Sequence, residues 1–321
     1  MSRCSLPTTR RYPAVSAAAL LLAACAGPHA GAPGAAAPNG ALLPSTVHRT
    51  AHYAGTFYPL YNSGPGQWIV PTSSMPFDKV SDILVAFAHA YPKGKGATLE
   101  FEENQPKEAA RLAQLEHVAR AKNRHIKILV TLGWGHRDWD YIAHDRANKA
   151  GLFVPSVIAF LKSNHLDGFD IDDESIGWPD TGTISQHDFD AVVGELRHEL
   201  DKASAPGHTF YLVITPAGDS DEPGGIDRTQ IDAANVKKFD WINLQTYWSS
   251  IWSENMIDAL TALKYPRERI AVGVNTERCH PDFPYSYDGL KGIFNWNMSG
   301  DSACKFTYTK QIATDVGYPP A

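Results

Sequence analysis

L-D-G-F-D-I-D-D-E, residues 166–174, sets Asp167, Asp170, Asp172 and Glu174 in a segment that otherwise has the β-branched and aromatic character of a core strand. It follows a helix-like stretch at 153–165. In an extended chain successive side chains alternate faces, so Asp170, Asp172 and Glu174 project to one side while Phe169 and Ile171 project to the other. Carboxylates crowded on a buried face repel one another and resist desolvation, which favours holding at least one proton near neutral pH. Such a group suits general acid catalysis. Two other readings stay open at this point, a divalent-metal row and a solvated acidic edge. A calcium loop counted from Asp170 would need Gly at its sixth position and Glu at its twelfth, where this chain has Ser175 and Thr181.

Outward from this segment, strand-like and helix-like stretches alternate. Candidate strands lie at 52–59, 83–89, 127–132, 168–172, 210–215, 241–245, 270–274 and 292–296. Helical spacing is seen at 107–122, with a stripe of Ala110, Leu112, Leu115, Val118 and Ala119. It is seen again at 185–202, with Phe189, Val192, Val193, Leu196 and Leu200 on one side and Ser185 placed as a cap. Eight strands with helices between them predict a closed parallel (β/α)8 TIM barrel, whose functional groups sit at the carboxyl ends of the strands.

The octet D-G-F-D-I-D-D-E matches the D-G-x-D-x-D-x-E signature of glycoside hydrolase family 18, and the chain resembles that family in further segments. The run I-K-I-L-V-T-L-G-W-G around Lys127 to Gly135 looks like its third strand, with the usual S-x-G-G altered. F-D-W-I-N-L-Q-T-Y-W, residues 239–248, resembles its sixth, and G-I-F-N-W-N-M-S-G-D, residues 292–301, its last. The resemblance covers about residues 50–316 and implies hydrolysis of β-1,4-linked N-acetylglucosamine by a retaining, substrate-assisted route. It makes Glu174 the acid and then the base, and Asp172 the group that orients the substrate's 2-acetamido. Asp170 shares a proton with Asp172, Tyr247 donates to the acetamido carbonyl, and Trp296 is the floor under the sugar. Gln245 stands where many chitinases have Met, and Trp248 where they have an acidic or amide residue; a Q-x-Y pattern also occurs in plant-type members. Trp134, Trp178, Trp248 and Trp252 fall in or near predicted loops, where indoles can stack on sugars or simply pack. Asp173 resembles the endo-β-N-acetylglucosaminidase branch, which cleaves the N-glycan core. A non-catalytic glycan-binding lectin on the same barrel is the alternative from another class, though inactive members commonly lack the acid that Glu174 supplies.

Composition agrees with one sizeable core: 321 residues, 43% hydrophobic and 20% charged. A net charge of −6 offers no basic footprint for nucleic acid. Residues 1–25 read as a leader, with Arg3, Arg10 and Arg11 ahead of an apolar stretch at 14–24 that is too short to span a bilayer. The leader ends L-L-A-A-C, which resembles the bacterial lipobox. That implies lipidation at Cys25, export, and membrane anchoring at the periplasmic or outer surface; an ordinary secretory signal is the alternative. Residues 26–46, rich in Ala, Gly and Pro, read as a flexible tether, and 47–321 as the barrel. Cys279 and Cys304 follow neighbouring predicted strands at one end, where an oxidising compartment allows a disulfide. The histidines show no metal-ligand spacing, so neither a metal nor a cofactor is expected.

Overall fold

Eight strands form parallel neighbours around a closed barrel. They are β1 (Tyr53–Pro59), β2 (Asp82–Lys93), β4 (Lys127–Gly133), β5 (Gly168–Asp173), β6 (Tyr211–Pro216), β7 (Trp241–Leu244), β8 (Ile270–Asn275) and β9 (Gly292–Trp296). Closure comes from β1, which pairs with both β2 and β9. The computed structural model describes residues 53–318 apart from 63–65, 102–104, 135, 177–180, 218–228, 248–249, 278 and 280–287. These residues belong to the compact unit Val47–Ala321. Cys25, the leader and the tether lie outside them, as do Trp178 and Trp248.

All eight candidate strands are found, within a few residues at each end. A ninth, β3 (Gly96–Phe101), was not anticipated: it pairs antiparallel with the extension of β2 beyond the rim. Pro92 and the run K-G-K-G hid it, because Pro usually punctuates a strand. Here Pro92 lies at the outer end of a two-stranded ribbon, and Gly94 turns the chain with φ +61°.

The helices follow from their apolar faces. Helix α1 (Gln105–Lys122) buries Glu108, Leu112, Leu115 and Ala119, spaced four, three and four apart. Ala110, expected in that stripe, is exposed, because two residues from Leu112 is about 200° around a helix. Two helices, α2 (Asp138–Ala147) and α3 (Phe153–Ser163), follow β4. Helix α4 (Gln186–Ala203) follows β5 and packs Phe189, Val192, Val193, Leu196 and Leu200 inward. Its cap is Ser185, whose Oγ accepts the backbone N–H of Asp188 at 3.1 Å. Helix α5 (Ser250–Ala262), which contains Trp252, joins β7 to β8, and α6 (Met298–Asp301) and α7 (Thr307–Asp315) follow β9. The described parts of the β1–β2 and β6–β7 crossovers carry only 3-10 turns, so the alternation of strand and helix is incomplete there. No helix of the described residues is long and apolar enough to cross a membrane.

The barrel interior is divided by chemistry. At the amino ends of the strands Tyr53, Tyr211 and Trp241 fill it, with the Lys291 ammonium 5.1 Å from the Tyr53 ring and 4.7 Å from the indole of Trp241. Toward the carboxyl ends the acids of β5 face a cluster that contains Phe57, Phe87, Tyr247 and Phe294 with Trp296 packed against it.

Candidate active site

β5 carries the acids. Phe169 and Ile171 point outward into the layer shared with the helices and are buried. Each contributes about 1.5–3 kcal/mol, which helps offset the desolvation of the residues between them. Gly168 is required by a close approach: a Cβ there would lie 2.5 Å from the Tyr211 carbonyl oxygen on β6.

Asp170 sits at the middle of the barrel, fully buried. Thr131 Oγ1 donates to its Oδ2 at 2.9 Å and Thr215 Oγ1 to its Oδ1 at 2.9 Å. The network continues, with Asn243 Nδ2 donating to Thr215 Oγ1 at 3.2 Å and the Tyr53 hydroxyl to Asn243 Oδ1 at 3.1 Å. Asp172 lies nearer the mouth, and Glu174 follows the strand's end, half-buried. A single side chain joins these two acids: Gln245 Nε2 donates to Asp172 Oδ1 at 2.6 Å and to Glu174 Oε1 at 3.2 Å. Hydroxyl and amide hydrogens face the acidic row.

Burial pushes Asp170 up to about 7, against hydroxyl hydrogen bonds that act the other way. Asp172 is raised well above the usual carboxylate range, first by burial and then by the charges of Glu174, Asp170 and Asp173. The group therefore titrates as a unit. Folding binds a proton on Asp170 more tightly than the unfolded chain does. Its contribution to stability is full below about pH 4 and is lost as pH rises through about 7. Asp170→Asn removes this dependence. The variant's melting temperature relative to wild type is expected to climb between pH 4 and pH 8, by an amount equivalent to at most about 4 kcal/mol. Thermal melts at both pH values check this, and a pH-independent difference would refute it.

Tyr247 lies three residues beyond β7, buried, its ring 6.1 Å from Phe294 in a T-shaped contact. Burial and then the charges of Asp172, Glu174, Asp170 and Glu277 push its phenol up, so the hydroxyl stays a donor. Trp296 closes the barrel side, its Nε1 donating to Glu277 Oε1 at 2.9 Å. Its ring lies 4.9 Å from Phe57 and 5.9 Å from Phe87. Phe87 in turn stacks 6.1 Å from Trp134 and 6.4 Å from Tyr61. Trp134 is 51% exposed and holds a left-handed backbone with φ +55°. Strain of this sort in a bulky residue is retained where the surroundings demand it, commonly at ligand sites. The result is an aromatic row beside an acidic one.

Gly133 permits the acids their place. Its φ is +138°, and a Cβ would lie 2.5 Å from the Asp172 carbonyl oxygen and 2.8 Å from its Cβ.

Asp172, Glu174, Gln245, Tyr247 and Trp296 thus stand at one barrel mouth, with Asp170 buried below them and Trp134 at the exposed end of the aromatic row. Asp173 faces away. Its carboxylate accepts from Ser175 Oγ at 2.6 Å, Thr229 Oγ1 at 2.6 Å and the Gln230 N–H at 2.7 Å, tying together the loops beyond β5 and β6. Asp167 is also a tie, accepting Arg120 Nη2 at 2.9 Å and the Ile128 N–H at 2.8 Å. Thr131, Thr215, Asn243 and Glu277 were not picked out from sequence. For the first three, alternation along the neighbouring strands was the available signal. The Cys279 and Cys304 sulfurs are bonded, with Cα atoms 5.5 Å apart.

The model of the family described as Glycosyl hydrolases family 18 matches residues 56–279. An endochitinase of Brugia malayi is 26% identical over 200 residues, which is 61% of this chain and 38% of that protein. Among solved structures, a plant class V chitinase mutant from Cycas revoluta, in complex with (GlcNAc)3, superposes with a TM-score of 0.61 at 15% identity. It covers 82% of this chain and 99% of that one. A chitinase-like agglutinin from Robinia pseudoacacia gives a TM-score of 0.59 at 17% identity, with coverage of 82% and 99%. The structural likenesses speak for the barrel fold, and the match to the curated relative spans well under half of its length.

Proposed function

The chain belongs to the family 18 glycosyl hydrolases, and from that premise we propose that it hydrolyses β-1,4-linked N-acetylglucosamine, as in chitin or its oligomers. The observation that carries this reading is the Gln245 amide shared by Asp172 and Glu174, which holds one carboxylate at the rim beside another inside it.

Glu174 reaches solvent and acts first as the acid. Its proton passes to the glycosidic oxygen as the bond to the anomeric carbon breaks. The acetamido carbonyl oxygen of the same sugar closes onto that carbon. Asp172 stabilises the acetamido N–H as it gains positive character, and the Tyr247 hydroxyl donates to the carbonyl oxygen and sets its angle. Glu174, now a carboxylate, takes a proton from water, which reopens the ring and leaves the configuration retained. The Thr131 and Thr215 hydroxyls keep Asp170 fixed below this pair. Trp296 supplies an apolar wall for the sugar face, backed by the buried ring of Phe87.

Incubation of the purified protein with chitin oligomers, and separately with a high-mannose glycopeptide, tests the proposal by mass analysis of products. Shortened oligomers are expected, with nascent reducing ends in the β configuration by NMR. Cleavage of the glycopeptide alone would move the reading to an endo-β-N-acetylglucosaminidase. Binding of both without cleavage would move it to a lectin, the property named for the Robinia pseudoacacia neighbour. We also propose export and anchoring through lipidated Cys25, for which membrane fractionation of a Cys25→Ser variant is the direct measurement.

A further inference from the structure

A second cluster of chemistry-bearing side chains stands behind the aromatic row. β2 runs past the rim into its ribbon with β3, and α2 starts just after the mouth of β4. This brings His89 against Asp138, 49 positions away in the chain, and places His136 on the same carboxylate. His89 Nδ1 lies 3.0 Å from Asp138 Oδ2, and His136 Nδ1 lies 3.1 Å from Asp138 Oδ1. The three donor atoms all fall within 4.8 Å of one another.

We propose that His89, His136 and Asp138 bind one divalent ion of the zinc class. The spacing is the first reason. With metal–ligand bonds of about 2.0–2.1 Å, the edge of a tetrahedral centre is about 3.3 Å. The two nitrogen–oxygen separations, made to different oxygens of Asp138, lie close to that, and a turn of the half-buried His136 ring would bring its nitrogen to the oxygen that faces His89. The donor set is the second. Two imidazole nitrogens with one carboxylate oxygen suit zinc and its neighbours, whereas calcium and magnesium take oxygen ligands.

The surroundings supply what a metal ligand needs. The Ala90 N–H donates to Asp138 Oδ1 at 2.6 Å, which orients the carboxylate as outer-shell partners do. His89 and Asp138 are each only 1% exposed and sit on a paired strand and a helix's first turn, so their positions are fixed before any ion arrives. Aromatic rings wall the cluster, with Tyr91 4.8 Å and Tyr141 5.7 Å from the His136 ring and Phe87 6.2 Å from that of His89. His136, 26% exposed, provides the path from solvent and the open coordination positions. Through Phe87 the ion would brace the wall on which Trp134 and Trp296 stack, a role separate from the acid chemistry of Glu174.

Chelator-treated full-length protein is titrated with Zn2+ and with Co2+. One ion per chain is expected, with a zinc-dependent rise in melting temperature, visible cobalt bands typical of nitrogen ligation, and no response to Ca2+ at the same concentration. His136→Ala should weaken zinc by more than the roughly hundredfold that outer-shell partners are worth, while melting like metal-free wild type. Failure of wild type to bind an ion stoichiometrically, or zinc affinity unchanged in His136→Ala, overturns the proposal and leaves the trio as a hydrogen-bonded clasp. If His136→Ala does not fold, the wild-type cobalt spectrum decides: bands of an oxygen-only environment refute the site. None of these readouts depends on glycoside hydrolysis.

Discussion

Glu174→Gln is expected to abolish turnover of chitin oligomers while leaving their binding intact. The substitution is nearly isosteric. The carbonyl oxygen of the new amide can still accept from Gln245 Nε2, which lies 3.2 Å from Glu174 Oε1, so the mouth should keep its shape. What disappears is the exchangeable proton on the acid, needed once to expel the leaving group and once, in reverse, to activate water. General acid–base catalysis is worth about 10²–10⁴-fold, and both halves of the cycle draw on this residue. A loss in kcat of about 10³-fold or more is therefore expected, with oligomer affinity changed only a few-fold. Indole fluorescence is a convenient probe of that affinity, since Trp134 and Trp296 flank the mouth. Hydrolysis within tenfold of wild type would remove Glu174 from the mechanism.

Asp172→Asn should cost about 10²–10³-fold in kcat with a small change in KM. The charge of Asp172 acts on an acetamido group only as that group becomes positive, so it stabilises the transition state more than the bound substrate. The Asn side chain can keep one hydrogen bond with Gln245 by presenting its oxygen, which separates loss of charge from loss of packing. Steady-state kinetics supply the test, because a defect confined to KM would mean that Asp172 merely binds sugar. The double variant with Glu174→Gln should cost far less than the product of the two, because both serve one step.

The barrel was legible because a buried strand needs a specific residue pattern. Phe169 and Ile171 alternate with acids, Ser185 caps a helix with a clean apolar stripe, and seven further strand-like segments recur along the chain. Ala110 was misplaced because it lies two residues from Leu112, about 200° around the helix and so off the buried face. The β2–β3 ribbon was missed because Pro92 reads locally as an end, while its partner strand decides otherwise. The signature octet also marked the acids, but alternation alone was needed to see that Asp173 faces the opposite way from Asp172.

Taken by itself, the order of residues determined the alternation of buried and polar positions, and with it the eight barrel strands, the helices α1, α3 and α4, and the row of carboxylates on β5. Those are properties of neighbours one to four positions apart, where backbone geometry dictates which side chains share a face. Only the tertiary structure decided which distant groups meet: Gln245 between Asp172 and Glu174, Thr131 and Thr215 on Asp170, and His89 with His136 on Asp138. These contacts join residues on different strands and helices, and closure of the barrel, with the register of its hydrogen-bonded ladders, sets their distances.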